Sequence, residues 1–173
     1  MKEIQVGLIG LGTVGCGLVK VLDSNSEMIK ERLGVPLRLK RVVDVDLQSP
    51  RPVSLPRKIL STQVEDILAD DEIRIVVELI GGMEPAKTFL LEAMKRGKHV
   101  VTANKALLAV HGNELFAAAP EHQVNIAFEG AVGGGIPLIR ALREGLVANR
   151  TGTLYGILNG TANYILTRMA REG

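Results

Sequence analysis

Gly10-Leu11-Gly12-Thr13-Val14-Gly15 constrains the fold of this chain more than any other stretch, because strand-like sequence precedes it and helix-like sequence follows. Ile4 to Ile9 is a short apolar run rich in Ile and Val, the pattern of a strand buried on both faces. From Thr13 onward, Val14, Leu18, Val21 and Leu22 fall at helical spacing. In that strand–turn–helix setting, G-x-G-x-x-G points to a dinucleotide. Gly10 permits the tight turn, Gly12 lets the backbone approach a pyrophosphate, and Gly15 lets helix and strand pack closely. Amides from Gly12 to Val14 would face phosphate, helped by about half a positive charge at the helix N-terminus. The competing reading is a tight glycine turn with no ligand.

The same alternation continues along the chain. Leu37 to Val45 is a second strand candidate, and the Pro-rich stretch from Pro50 to Pro56 is a loop. Thr62-Gln63-Val64-Glu65 matches a capping box and predicts a short helix to about Ala69. Ile73 to Ile80 follows as strand, and Gly81-Gly82 as a turn. Pro85 opens a helix that Gly97 closes, and His99 to Thr102 is the fourth strand. Beyond it, Leu107 to Ala119 reads as broken helix, Asn125 to Phe128 as strand, Pro137 to Leu146 as helix, Thr153 to Leu158 as strand and Ala162 to Arg171 as a closing helix. Each parallel strand pair needs a crossover, so the pattern predicts an α/β fold: a Rossmann-type doubly wound parallel sheet with helices on both faces. The only boundary signal is Gly152 to Gly160. Residues 1–150 are therefore expected to form the dinucleotide-binding domain, and residues 151–173 the first strand and helix of a truncated second one.

Composition narrows the functional classes. With 173 residues, 46% hydrophobic and 23% charged, the chain can bury a substantial core. Lys plus Arg number 21 against 19 Asp plus Glu, so the net charge of +2 gives no broad field for nucleic acid or an anionic membrane. The aromatics are three Phe, two Tyr and no Trp, too few to build a base-stacking surface. The single cysteine, Cys16, excludes an internal disulfide and fits a reducing compartment. No stretch approaches the roughly 18 uninterrupted apolar residues of a spanning helix, and the first residues do not resemble a signal peptide. The expectation is a cytoplasmic protein with neither nucleic-acid nor membrane partner.

Other residues fall where an open sheet binds ligands, at the carboxyl ends of strands. Asp44 and Asp46 follow the second strand, where a carboxylate accepts hydrogen bonds from an adenosine ribose. They lie further from Gly15 than the usual ~20 residues, and an extra helix between Ser24 and Gly34 would absorb the difference. A carboxylate there repels a 2′-phosphate and favours NAD over NADP, although Arg51, Arg57 and Lys58 lie close by. Glu78 lies inside a buried run, so a ligand or, more in keeping with its place, a structural partner must satisfy it. Lys105, just past the fourth strand, is either a ligand for a substrate carboxylate or alkoxide or a plain surface lysine. The segment from Phe128 to Pro137 contains Gly133-Gly134-Gly135, where main-chain carbonyls can converge on a hard monovalent ion or calcium, or where a hinge can pass near the cofactor. His99, His111 and His122 show no paired metal-ligand spacing.

Taken together, GLIGLGTVGCGL, VVELIGG, VVTANKALLA, FEGAVGGGIPLIRAL and GILNGTANYIL occur in family order, and the chain resembles the amino-terminal part of homoserine dehydrogenase. The resemblance implies NAD(P)-dependent interconversion of L-homoserine and L-aspartate 4-semialdehyde, in the biosynthesis of threonine, methionine and isoleucine. It implies that Thr13 and Val14 lie on the pyrophosphate, Ile80 and Gly81 near the nicotinamide ribose, and Lys105 beside nicotinamide and substrate. It also implies a sodium ion on the carbonyls of Glu129, Val132, Gly134 and Ile136, and a homodimeric full-length enzyme.

Three departures accompany the likeness. Val45 stands where many members carry an arginine for the 2′-phosphate, which strengthens the preference for NAD. Ala162 replaces the second threonine of the usual GTTNYI. The family's substrate-binding acids and proton-transferring lysine belong to a segment beyond that region, so the 173 residues alone are expected to bind cofactor with little turnover. A non-catalytic NAD(H)-sensing module is the alternative from another functional class.

Overall fold

Alternation of apolar residues onto two faces builds the sheet. In the computed structural model, which describes residues 3–157 and 159–173, β1 (Ile4–Ile9) sends Val6 and Leu8 to one side and Ile9 to the other. Val42 and Val43 divide in the same way at the end of β2 (Leu37–Val43), as do Val77 and Val76 in β4 (Ile73–Glu78). A strand with both faces buried needs a layer on each. On one side α1 (Thr13–Ser24) supplies Cys16 and Val19. On the other, α3 (Glu65–Leu68), α4 (Ala86–Lys95) and α5 (Lys105–Glu121) supply Ile67, Leu90, Met94, Leu107 and Leu115. Ile67 packs onto β1 at Gly7, where a Cβ would lie 2.6 Å from its Cγ2.

The remaining strands are β3 (Leu60–Ser61), β5 (His99–Thr102) and β6 (Ile126–Ala127). Sheet order is β3-β2-β1-β4-β5-β6, and every neighbouring pair is parallel. The chain thus builds outward from β1 in one direction, then returns to β1 and builds in the other. That reversal leaves a gap between the crossovers at the carboxyl ends of β1 and β4, the place where doubly wound sheets take ligands.

Several local expectations change. The extra helix after α1 is α2 (Ser26–Leu33), closed by Gly34. Ser61, not Thr62, organises the start of α3: its hydroxyl accepts from the Gln63 amide at 3.0 Å and pairs with Asp66. The stretch from Leu107 to Ala119 is unbroken within α5, because Pro120 comes after it, one residue before the helix ends at Glu121. Residues 137–146 form only the short α6 (Leu138–Arg140) and a wide turn over Ala141–Gly145, with no buried residue to enforce regular α geometry. Residues 153–157 are exposed and pair with no strand among the described residues, and a strand without a ladder has nothing to hold it. The last residue of that expected strand, Leu158, lies outside the described residues. The closing helix, α7 (Gly160–Glu172), is capped by the Asn159 side chain, which accepts from the Ala162 amide at 2.8 Å. This cap uses the main chain of residue 162, so alanine in place of threonine leaves it intact.

Leu90 is wholly buried where α4 meets the sheet. Leu90→Ala should cost about 2–5 kcal/mol, as core truncations do, whereas Val21→Ala, at a position 52% exposed, should stay within about 0.5 kcal/mol. Urea unfolding of both variants checks the contrast.

Candidate functional site

The turn after β1 is shaped by what a side chain would strike. Gly10 has φ +101°, and a Cβ there would lie 2.8 Å from both the carbonyl carbon and oxygen of Leu79. A Cβ on Gly15 would run into the Gly10 carbonyl oxygen. Gly12 differs: nothing lies within 4 Å of the position its Cβ would take. It is also the N-cap of α1, and no side chain caps that helix. The first-turn amides are therefore left without a side-chain acceptor beside an open space.

The end of β2 fixes this turn. The Gly10 amide donates to the Val43 carbonyl at 2.8 Å. The Leu11 amide donates to Asp44 Oδ2 at 2.5 Å, and Asp44 Oδ1 accepts from the Asp46 amide at 2.9 Å. Arg51 Nη2 lies 3.6 Å from Asp44 Oδ1 and from Asp46 Oδ2, and donates to the Asp46 carbonyl at 3.0 Å. Its Nε is buried without a partner. Asp46 itself closes a local loop: the Ser49 hydroxyl and amide, then the Gln48 amide and the nearby Arg51 charge, hold its carboxyl down at about 2.

A crevice of about 610 Å³ opens between these segments. Gly10 and Gly12 form one wall, and Asp44, Val45 and Arg51 a second. Leu79, Ile80 and Gly81, from the end of β4, form a third with Pro85 and Phe89. Of the residues anticipated from sequence, Gly10, Gly12, Asp44, Ile80 and Gly81 meet here. Thr13 and Val14 are exposed at the start of α1, and Gly15 lies beneath the turn. Asp46 is outside the crevice wall, so Asp44 is the acid that faces the open space. Lys105 opens α5 on the same edge of the sheet but is exposed and outside the crevice.

Thr62, Gln63 and Val64 also line the crevice, and sequence reasoning missed them. They follow β3, whose two residues are too few to show alternation; the only signal was the capping-box pattern, which read as helix.

Glu78 is wholly buried and finds its partners inside the protein. Oε1 accepts from the amides of Ile80 at 2.9 Å and Gly81 at 3.2 Å, and Oε2 accepts from the Thr102 hydroxyl at 2.6 Å. In the glycine segment, Gly133 and Gly134 take left-handed φ of 71° and 62°. The Glu129 carboxylate accepts from the amides of Ile139 at 2.9 Å and Arg140 at 2.8 Å. It is therefore committed to α6, while the Ile136 carbonyl accepts from Leu138 at 2.8 Å. Among the described residues no cluster of three or more His, Cys, Asp or Glu could hold a metal ion, and no helix is long and apolar enough to cross a membrane.

Comparison with known proteins bears on this geometry. The family described as "Homoserine dehydrogenase, NAD binding domain" matches residues 10–129, and "Homoserine dehydrogenase" matches residues 137–173. Homoserine dehydrogenase of Bacillus subtilis is 47% identical over 172 residues, which are 99% of this chain and 40% of that protein. The crystal structure of a homoserine dehydrogenase from Thiobacillus denitrificans is 49% identical, with TM-score 0.87 over 99% of this chain and 40% of that one. A hyperthermophilic archaeal homoserine dehydrogenase in complex with NADPH shares the fold at 23% identity and TM-score 0.80, covering 99% of this chain and 57% of that one. This chain spans about two fifths of the length of the curated relatives it matches.

Two outcomes follow from the geometry of the turn and its loop. Gly12→Ala should leave the melting temperature nearly unchanged, whereas Gly15→Ala should destabilise by about 1–3 kcal/mol or more, since backbone must move; thermal melts compare them. Asp46 has a native value of about 2 against 3.8 ordinarily. Its contribution favours the folded state above the ordinary value and disappears as pH falls toward the native one. Carboxyl NMR should therefore place its midpoint near 2, and Asp46→Ala should flatten the acid limb of the stability curve.

Proposed function

The chain belongs to the homoserine dehydrogenase family, and from that premise we propose that the crevice holds NAD(P) for interconversion of L-homoserine and L-aspartate 4-semialdehyde by the whole protein. One observation carries the reading: the uncapped N-terminus of α1 meets an open space at Gly12, where the backbone alone can approach a ligand. A diphosphate suits that place, since bare amides and the helix dipole both favour negative charge. On this reading Thr13 and Val14 supply pyrophosphate contacts, with Gly10, Gly12 and Gly15 shaping the approach. Ile80 and Gly81 border the nicotinamide ribose. NAD(P) held there would supply hydride transfer for the alcohol–aldehyde exchange. Lys105 then holds substrate oxygen beside it.

Asp44 serves the adenosine ribose in this proposal, because it lines the crevice and Asp46 does not. Its negative charge favours NAD, and the apolar, 94% exposed Val45 offers nothing to a 2′-phosphate. Arg51 lies close enough to soften that preference. The oxygen-only donor set of Glu129, Val132, Gly134 and Ile136 suits sodium through main-chain carbonyls, since the Glu129 carboxylate is already committed. Residues 1–150 act in this scheme as the cofactor domain, and 151–173 belong with the part that completes the substrate site in a homodimer.

Calorimetry should show NADH or NADPH binding to this chain. Gly12→Val should weaken binding at least tenfold without lowering the melting temperature appreciably, because its side chain fills only the open space. Equal affinity in the variant would place the diphosphate elsewhere, and absence of binding in the unaltered chain would remove the proposal. In the full-length protein, Lys105→Ala should lower kcat/KM for homoserine while cofactor affinity stays within about twofold.

A further inference from the structure

Glu78 is wholly buried, yet its hydrogen bonds run to two crossovers rather than one. Through Oε1 it holds the amides of Ile80 and Gly81, which begin the turn after β4. Through Oε2 it holds the Thr102 hydroxyl at the end of β5. Thr102 Oγ1 in turn accepts from the Asn104 amide at 3.0 Å. The Asn104 side chain then does two things. Its Nδ2 donates to the Gly82 carbonyl at 2.5 Å, back in the turn after β4, and its Oδ1 accepts from the Leu107 amide at 3.1 Å, capping α5. The path from Glu78 through Thr102 and Asn104 to Gly82 is therefore closed on itself. It ties the crevice wall at Ile80 and Gly81 to the helix start that carries Lys105.

The members of this ring belong to neither hydrophobic core cluster. They are polar and lie at the carboxyl edge, and a buried acid costs free energy wherever its acceptors are not fully matched. Here two amides and one hydroxyl face the two carboxyl oxygens. What the ring determines is geometry: the turn 79–82 contains two consecutive glycines, and among the described residues the side-chain hydrogen bonds to its main chain come from Glu78 and Asn104. We propose that Glu78, with Thr102 and Asn104, is a positioning device that sets the nicotinamide half of the crevice relative to Lys105, without itself touching cofactor or substrate. This rests on the cofactor assignment above and adds to it a residue that holds the two strand ends in one arrangement.

The test separates the two halves of the crevice. Calorimetric titrations of the chain would use NADH and NADPH, and the matching nicotinamide-free fragments ADP-ribose and 2′-phospho-ADP-ribose. Glu78→Gln and Thr102→Val should weaken binding of the reduced dinucleotide about five- to twentyfold, with the fragment within about twofold of the unaltered chain. Thr102→Ser, which keeps the hydroxyl, should restore dinucleotide affinity. If Glu78→Gln does not fold, the Thr102→Val and Thr102→Ser pair decides. A parallel loss of both ligands, or full dinucleotide affinity in Thr102→Val, would make the ring purely structural and overturn the proposal. An unaltered chain that binds neither ligand would instead overturn the cofactor assignment, and this inference with it. An unaltered chain that binds both, combined with no selective loss in the variants, would sink this inference alone.

Discussion

Three backbone segments meet after β1 at a distance no side chain would permit. Gly15 lies against the carbonyl of Gly10, and Gly10 lies against the carbonyl of Leu79, so α1, the turn and the end of β4 converge within van der Waals reach. Everything at the carboxyl edge follows from that steric condition. It brings the N-terminus of α1 to the reversal point of the sheet, and it places the ends of β1 and β4 on either side of one crevice. The Asp44 carboxylate then fixes the turn from the side of β2 by accepting the Leu11 amide. The same acid thus helps build the crevice and lines it, so its replacement would disturb both the wall and the turn.

The two edges of the sheet each bury an ionisable group, and the match of sign is instructive. At the carboxyl edge Glu78 accepts from turn amides and a hydroxyl. Near the amino end of β5, Lys98 is 2% exposed and donates to the carbonyls of Asp70 at 2.6 Å and Ile73 at 3.0 Å, and burial pulls its ammonium below the ordinary lysine value. Each group meets main-chain partners of complementary polarity where strands begin or end. Only the acid is connected onward, through Thr102 and Asn104, to a second crossover. The lysine closes a local turn at the edge away from the crevice, which is why the first carries a functional argument and the second a structural one.

The fold was readable from sequence because its signals are steric and periodic. Contiguous apolar runs in β1 and β4, helical spacing in α1, and glycine at the three turn positions all reflect local backbone rules. Glu78 was readable as a buried acid in need of a structural partner, and the partner is Thr102 with two amides. That Asp44 and not Asp46 lines the crevice was not readable, since it depends on the path of the loop after β2. Thr62 to Val64 escaped for a related reason: only their tertiary position beyond a two-residue strand brings them to the wall. The sequence pattern of 153–157 suits a strand, but pattern supplies no ladder partner.

Burial also separates what the described residues hold together from what they leave open. Both core clusters draw on residues no later than Phe128. After that point many large apolar side chains are exposed: Val147, Tyr155, Ile157 and Leu166 are 77%, 93%, 73% and 64% exposed. Apolar side chains so exposed within one contiguous stretch of sequence contrast with the closed interior before it. The crevice is walled entirely by segments that belong to the closed part. Its shape is therefore set by packing internal to residues 4–128, and the Glu78 ring lies at the edge of that closed part.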